Sequence, residues 1–154
     1  MANTKSEQDA LHFLRSQRLG VISGVKENGT PHSALIYYVA SPTFSIYFFT
    51  KTNTKKYETF QKNPIAAFVV GSSDFPQVIQ MEGTIRVVPR EEQDPSMISE
   101  LLTTVSSNPM YPAPLVRMDD AEVVLMELKP TWLRWADFAF GRPNNNEIFF
   151  EIIK

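Results

Sequence analysis

The segment Tyr47–Pro64, YFFTKTNTKKYETFQKNP, combines the signals of a strand, a turn and a short helix. Its opening aromatic run predicts a strand. Tyr57 and Phe60 then lie three positions apart, which is the spacing of one helix face. Thr54 has the side chain of a helix N-cap. The helix should end before Pro64, because the residue that precedes a proline avoids the helical region.

Two lysines fall in the first turn of this predicted helix, Lys55 and Lys56. A helix N-terminus is electropositive and favours acidic side chains, so this placement is unfavourable by itself. One interpretation is a solvated helix start. The other is an anion that binds the exposed N–H groups and the two ammonium groups, with hydroxyl donors from Thr50, Thr52 and Thr54. The residues alone leave both interpretations open.

Composition restricts the class of protein. The 154 residues correspond to a single domain over 1–154, and 43% hydrophobic residues suffice for a real core. The absence of cysteine excludes disulfides and thiolate metal sites. No signal peptide and no apolar run of about 20 residues is visible. The net charge of −2 is unlike that of a nucleic-acid binder. We therefore expect a cytoplasmic protein without membrane or nucleic-acid partners.

The chain on either side of the opening segment is rich in short strands. The sequence predicts helices over residues 9–17 and 91–105, and a hairpin at Asn28-Gly29. Gly83 interrupts a long alternating strand, which indicates a bend or a close backbone approach. An antiparallel meander of this kind avoids open edges by closing into a barrel. The predicted strands cover residues 19–26, 32–40, 44–50, 65–70, 77–88, 122–128, 132–135 and 147–153.

Few side chains indicate catalysis. His12 and His32 have no partners at metal-ligand spacing, so we assign both a structural or solvent-facing role and expect no metal site. There is no GxSxG nucleophile motif. If residues 132–135 form a strand, Trp132 and Trp135 face opposite sides. One tryptophan would then lie in the core and one at an interface, or the pair would offer a flat surface to a planar ligand.

The order of several short motifs resembles the pyridoxamine 5'-phosphate oxidase-like, FMN-binding split-barrel family, with its small general-stress-type members as the better comparison. The motifs are LGVIS, NGTPHSALIYY, YFFTKTNTKKYETFQKNPIAAF and VIQMEGTIRVV. In that family a strand ends in threonine, a lysine follows six residues later, and a helix ends in Asn-Pro. Thr50, Lys56 and Asn63-Pro64 match this pattern. The later segment LKPTWLRWADF is similar to the last sheet region of the family.

The resemblance implies a fold and a cofactor. The fold is mainly β with short helices, an antiparallel split β-barrel. The chain would form a homodimer with FMN at the subunit interface and act as an oxidoreductase on a small-molecule substrate. Lys56, with Lys55, would hold the FMN phosphate. The other cofactor contacts implied by position are Ser33, Ala34, Leu35, Ile36, Phe49, Thr50 and Gln80, with Trp135 and Arg142 contributed across the interface.

Two departures and two alternatives follow from the same comparison. True pyridoxamine 5'-phosphate oxidases have an arginine at the position of Ala34 and an arginine–histidine motif near the C-terminus. Residues 138–146, FAFGRPNNN, lack that motif, so we do not expect vitamin B6 oxidation. One alternative is a reductase that uses the deazaflavin F420, whose phosphate would also bind cations. The other is a non-enzymatic flavin- or haem-binding module, with His32 as the haem ligand.

Overall fold

The computed structural model describes residues 4–106, 122–140 and 148–154. The helices in these ranges are α1 (Lys5–Ser16), α2 (Lys55–Lys62) and α3 (Pro95–Ser106), and none of the three is long and apolar enough to cross a membrane. The strands are β1 (Leu19–Val25), β2 (Pro31–Tyr37), β3 (Val39–Ala40), β4 (Ile46–Lys51), β5 (Ile65–Gly71), β6 (Gln77–Val87), β7 (Val123–Asp137) and β8 (Phe149–Ile153).

These strands form one antiparallel sheet in the order β2-β1-β5-β6-β7-β4-β3, and β8 pairs with β7. Although β2 and β3 lie at opposite ends of this order, only Tyr38 separates them in the chain. The sheet must therefore curl until its two ends meet. This confirms the expected antiparallel split β-barrel with short helices.

Tyr38 fixes the closing point of the barrel against α1. Its side chain is buried, its hydroxyl donates to the Leu14 carbonyl oxygen at 2.6 Å, and its ring meets Phe68 edge to face at 5.1 Å. Burial raises the pKa of Tyr38. The helix itself begins at Lys5, earlier than the predicted residue 9, because Thr4 and Glu7 form a capping box.

The long strand β6 shows the predicted alternation, with Ile79, Met81 and Ile85 in the core and polar side chains between them on the outer face. Gly83 lies at a register shift between β6 and β7. A Cβ atom at this position would be 2.1 Å from the Lys129 carbonyl oxygen. The close backbone approach predicted for Gly83 is confirmed.

Two further predicted boundaries are wrong. The segments 122–128 and 132–135 belong to a single strand, β7. Pro130 pairs with Gly83 at the irregularity, a position where a strand tolerates proline. The third helix begins at Pro95 instead of residue 91, after a 3₁₀ turn over Arg90–Glu92. Proline is favoured at the first helical position.

Helix α3 covers a second apolar cluster outside the barrel, built from Tyr37, Val39, Val88, Leu101, Val105 and Leu125. Beside it the buried Glu127 accepts hydrogen bonds from the Tyr47 hydroxyl at 3.1 Å and from Arg86 Nε at 2.9 Å. These contacts hold one side of the barrel under α3.

Candidate functional site

The N-terminus of α2 is capped as the sequence predicts. Thr54 Oγ1 accepts from the Tyr57 N–H at 3.2 Å, donates to the Lys51 carbonyl oxygen at 2.9 Å and lies 3.0 Å from Thr50 Oγ1. Its single hydrogen is therefore used inside the protein. The expectation that Thr54 adds a hydroxyl donor to an anion site is wrong.

Two backbone donors remain at this helix end. Within the parts of the chain that the structure describes, the N–H groups of Lys55 and Lys56 have no hydrogen-bond partner. They lie in the first turn of the helix. A helical N–H normally donates to the carbonyl four residues earlier, and these two groups have no such carbonyl within the helix. Together with the positive end of the helix dipole, they make this end of α2 able to bind an anion.

The Lys56 side chain is unusual among the lysines of α2, because it combines partial burial with the lack of a charged partner in the described chain. It is half-buried, and no carboxylate within 4.0 Å pairs with it among the described residues. Burial lowers the pKa of Lys56, because the ammonium loses hydration without gaining a counter-ion. In contrast, Lys62 at the other end of α2 is paired with Glu27 and Glu58.

Lys26 and His32 also lie beside this helix end. Burial, followed by the charges of Lys55, Lys26 and Lys56, lowers the pKa of His32. The hairpin between β1 and β2 brings these groups together, since Gly24 pairs with His32 and the Lys26 N–H donates to the Thr30 carbonyl oxygen at 2.8 Å. We call Lys26, His32, Lys55 and Lys56 the basic cluster. Its charge suits a phosphate dianion.

Sequence reasoning missed Lys26, and it considered His32 only as a haem ligand and not as part of an anion site. The signal was the Asn28-Gly29 hairpin, which is confirmed, with Gly29 at φ 85° and Asn28 outside the positive-φ region. A hairpin centred there pairs the strand that ends before Lys26 with the strand that holds His32. Following that register toward the helix would have placed both side chains near Lys55.

The residues of β2 divide between the two faces of the sheet. Ser33 and Leu35 are exposed on the outer face, and Ser33 Oγ lies 2.8 Å from Ser23 Oγ. Ala34 and Ile36 face inward, where Ile36 is buried in the core. The Ala34 and Ile36 side chains therefore do not reach the outer surface, and a ligand there would meet only their backbone.

Gln80 lies on the same outer face. The strand registers place Leu35, Val21, Val69, Gln80 and Arg134 in one row across five strands. Gln80 Oε1 accepts from Arg134 Nε at 3.1 Å and from Arg134 Nη2 at 2.5 Å. The structure thus brings Leu35 and Gln80 to one surface, and Arg134, which was not predicted as a site residue, fixes the Gln80 amide.

The remaining predicted contacts lie elsewhere. Thr50 is buried beside Thr54, and Phe49 packs toward the cluster under α3. Trp135 is 3% exposed and packs on Phe150 at 5.3 Å, so its contact with a cofactor stays a prediction. Trp132 faces outward and is half-buried, and its place at an interface stays a prediction. Arg142 lies outside the described residues.

The outer face of β5 is apolar although nothing in the described chain covers it. Ile65 and Val69 are 58% and 40% exposed, and Ala67 between them is exposed as well. Leu35 extends this surface onto β2. We call Leu35, Ile65, Ala67 and Val69 the outer apolar stripe. A contiguous apolar surface at the centre of a sheet is typical of a protein interface.

No group of three or more histidine or acidic side chains that could hold a metal ion occurs in the described ranges. Two surface features of the described residues could bind a ligand: the basic cluster at the end of α2 and the row that runs from Leu35 to Gln80. The first is suited to an anion, and the second to an extended flat ligand.

Residues 6–135 match the family model described as pyridoxamine 5'-phosphate oxidase. The chain belongs to the pyridoxamine 5'-phosphate oxidase family. The matched region includes the basic cluster and Gln80, and confirms the resemblance inferred from the sequence. No curated protein sequence matches the chain significantly.

Several solved structures share the fold. General Stress Protein 26 from Bacillus anthracis str. Sterne is 20% identical over 96% of this chain and 99% of its own, with a TM-score of 0.64. A pyridoxamine 5'-phosphate oxidase-related, FMN-binding protein from Nostoc punctiforme is 15% identical over 100% of both chains, with a TM-score of 0.62. An F420 reductase is 23% identical over 79% of this chain and 93% of its own, with a TM-score of 0.62. At these identities the similarity shows the split-barrel fold.

Proposed function

We propose that this chain binds FMN, with the phosphate at the basic cluster, and is an oxidoreductase that acts on a small molecule. The observation that carries the proposal is Lys56, a half-buried cation without a counter-ion among the described residues, beside two unpaired N–H groups. A phosphate dianion supplies the missing charge and accepts from both donors. When bound, the flavin supplies hydride and single-electron transfer.

The protein residues in this proposal bind and orient the cofactor. Ser33 and Leu35 project from β2 on the outer face, and Gln80 presents its amide from β6 in the same row. Arg134 donates two hydrogen bonds to Gln80 Oε1. The Gln80 side-chain NH₂ group is therefore turned away from Arg134 and is available to an acceptor atom of a ligand. Membership of the family and the FMN-binding relative support this assignment.

A homodimer completes the proposed site. A second copy of the chain would cover the outer apolar stripe, which otherwise exposes Leu35, Ile65 and Val69 to water. In this proposal, Trp135 and Arg142 contact the cofactor from the partner chain. Sedimentation at micromolar concentration should give a dimer, and Val69→Glu should shift the equilibrium to monomer. A monomeric wild-type protein would overturn the two-chain site.

Fluorescence titration with FMN and riboflavin tests the phosphate assignment. Lys56→Ala should weaken FMN binding roughly 10- to 150-fold, the effect of losing one charge-assisted contact. Lys55→Ala should weaken it less, because the Lys55 side chain is exposed. Riboflavin lacks the phosphate and should respond little to either change. If Lys56→Ala binds FMN as tightly as wild type, the two lysines are only solvated side chains at the start of the helix.

The F420-dependent alternative has its own support, because an F420 reductase shares the fold and F420 also carries a phosphate that the basic cluster would suit. The absorption spectrum of the purified protein separates the cofactors. Flavin bands support FMN, and a Soret band supports the haem-binding module. A colourless protein that binds added F420 more tightly than added FMN would favour the deazaflavin reductase.

A further inference from the structure

A cavity of about 450 Å³ lies between the end of α1, the segment that joins β2 to β3, and helix α3. This volume is in the range of small-molecule sites. The cavity shares no lining residue with the basic cluster, and it borders Tyr38, which follows β2 at the opposite end from His32. A ligand in this cavity would therefore occupy a different part of the molecule from the proposed flavin phosphate.

Two arginines line this cavity, and neither pairs with a carboxylate in the described chain. Arg15 Nε donates to the Ala40 carbonyl oxygen at 3.2 Å, so both of its Nη groups are left for another acceptor. The backbone of Arg18 is fixed at the cavity, because its carbonyl oxygen accepts from the Tyr38 N–H at 3.1 Å. Two guanidinium groups without counter-ions favour a carboxylate or a phosphate.

Glu100 lines the same cavity from α3. Its carboxylate has no cation within 4.0 Å and accepts no hydrogen bond from the described residues, although both arginines border the same space. A ligand that carries only negative charge would be repelled by Glu100. A ligand with an ammonium group beside its carboxylate meets a group of opposite charge at both ends.

A smaller cavity of about 280 Å³ adjoins the first, and Arg15 and Glu100 line both. Its other charged groups already have partners, since Arg86 Nη1 lies 2.6 Å from Glu92 Oε2 and Asp94 Oδ1 accepts two hydrogen bonds in the first turn of α3. The apolar side chains of this smaller cavity are Pro42, Val88 and Met97. An uncharged, apolar part of a ligand therefore suits it best.

We propose that these two adjoining cavities bind a free amino acid with a large apolar side chain. Arg15 and Arg18 bind the α-carboxylate, and Glu100 accepts from the α-ammonium group. The amino acid side chain enters the smaller cavity, which begins where Arg15 and Glu100 lie. The three side chains that lack charged partners in the described chain thus explain the two charges of the ligand.

Isothermal titration calorimetry of the full-length protein tests the ligand class. L-phenylalanine should bind. N-acetyl-L-phenylalanine lacks the ammonium group and L-phenylalaninamide lacks the carboxylate, so each should bind at least about tenfold more weakly, the effect of losing a charge-assisted contact. Glycine has no side chain for the smaller cavity and should also bind more weakly. Inorganic phosphate is the probe for a site that accepts any anion.

Substitutions assign the charges. Arg18→Gln and Glu100→Gln should each weaken L-phenylalanine about tenfold, the lower end for a charge-assisted contact because both side chains are exposed. Glu100→Gln should leave the affinity for N-acetyl-L-phenylalanine unchanged or higher. The matched controls are Arg90→Gln and Glu91→Gln, exposed positions that line neither cavity, and they should bind L-phenylalanine as wild type does.

Three results would overturn the proposal. Wild type that takes up no L-phenylalanine would show that the cavities are not an amino acid site. Phosphate or N-acetyl-L-phenylalanine that binds more tightly than L-phenylalanine would make the arginines a general anion site, without a role for Glu100. Control variants that weaken L-phenylalanine as much as Arg18→Gln and Glu100→Gln would attribute the effect to net charge and not to contacts in the cavity.

Discussion

The hydroxyl oxygens of Thr50 and Thr54 lie 3.0 Å apart, which joins the end of β4 to the N-cap of α2. Thr54 Oγ1 also accepts a hydrogen bond from the Tyr57 N–H and donates one to the Lys51 carbonyl oxygen. The direction in which the first turn of α2 leaves the sheet is thus fixed by one side chain. The positions of the Lys55 and Lys56 N–H groups depend on it.

Thr54→Ala should lower the free energy of unfolding by about 0.5–2 kcal/mol, the usual effect of losing an N-cap. Urea denaturation followed by circular dichroism measures the change. Thr54→Ser keeps the hydroxyl and should stay close to wild type. FMN affinity should fall in Thr54→Ala more than in Thr54→Ser, and equal affinities would show that the cap does not position the anion-binding turn.

Lys56→Met should stabilise the protein without cofactor. The pKa of Lys56 is lower in the folded state, so the charged side chain disfavours folding at every pH below that pKa, and the penalty is lost as the pH rises from that pKa to the ordinary lysine value of 10.5. At pH 7 we expect a gain of about 0.5–1 kcal/mol, or about 1–4 °C in Tm. Thermal unfolding measures this gain. Lys55→Met, at an exposed position, is the matched control, and a lower Tm for Lys56→Met would refute the idea of an uncompensated charge.

His32 allows the basic cluster to be titrated by NMR. Without ligand, His32 should titrate below the ordinary histidine value of 6.5, because burial and the neighbouring lysines disfavour its proton. A bound phosphate dianion favours the imidazolium, so FMN should raise the pKa of His32 and riboflavin should not. A His32 titration unaffected by FMN would place the phosphate elsewhere.

Gly83→Ala should destabilise the barrel by about 1–3 kcal/mol, because its Cβ would overlap the Lys129 backbone, which has no flexible end to move aside. Gly71→Ala is the matched control, since a Cβ at that position meets its nearest atom at 3.6 Å. Chemical denaturation of both variants measures the difference. If the two substitutions have equal effects, the bulge can relax and the close approach is not a constraint.

Much of the fold could be predicted because local signals agreed with it. The Thr54 cap, the Asn28-Gly29 hairpin and the alternation of β6 each depend on a few adjacent residues. The continuity of β7 across Pro130 could not be seen, because the proline is tolerated only through its pairing with Gly83 on another strand. Such a pairing is long-range information that no local pattern contains.

The candidate site was likewise predictable only where a local signal marked its residues. Lys55 and Lys56 stood out because their charge contradicts the helix dipole locally. Lys26 and His32 did not, because their role arises only when the hairpin is placed against α2. The inward direction of Ile36 follows from the barrel face it occupies, which alternation within β2 alone does not assign.

The single residue between β2 and β3 also has a consequence for the order of folding. β3 adds only two residues to β4, and β4 can complete its pairing only with a strand that begins at Val123. The entropy of closing so long a loop delays that pairing relative to the β1–β2 hairpin. The point beside Tyr38 where the two ends of the sheet meet should therefore form last during folding. Its amide protons should exchange with solvent before those at the centre of β6.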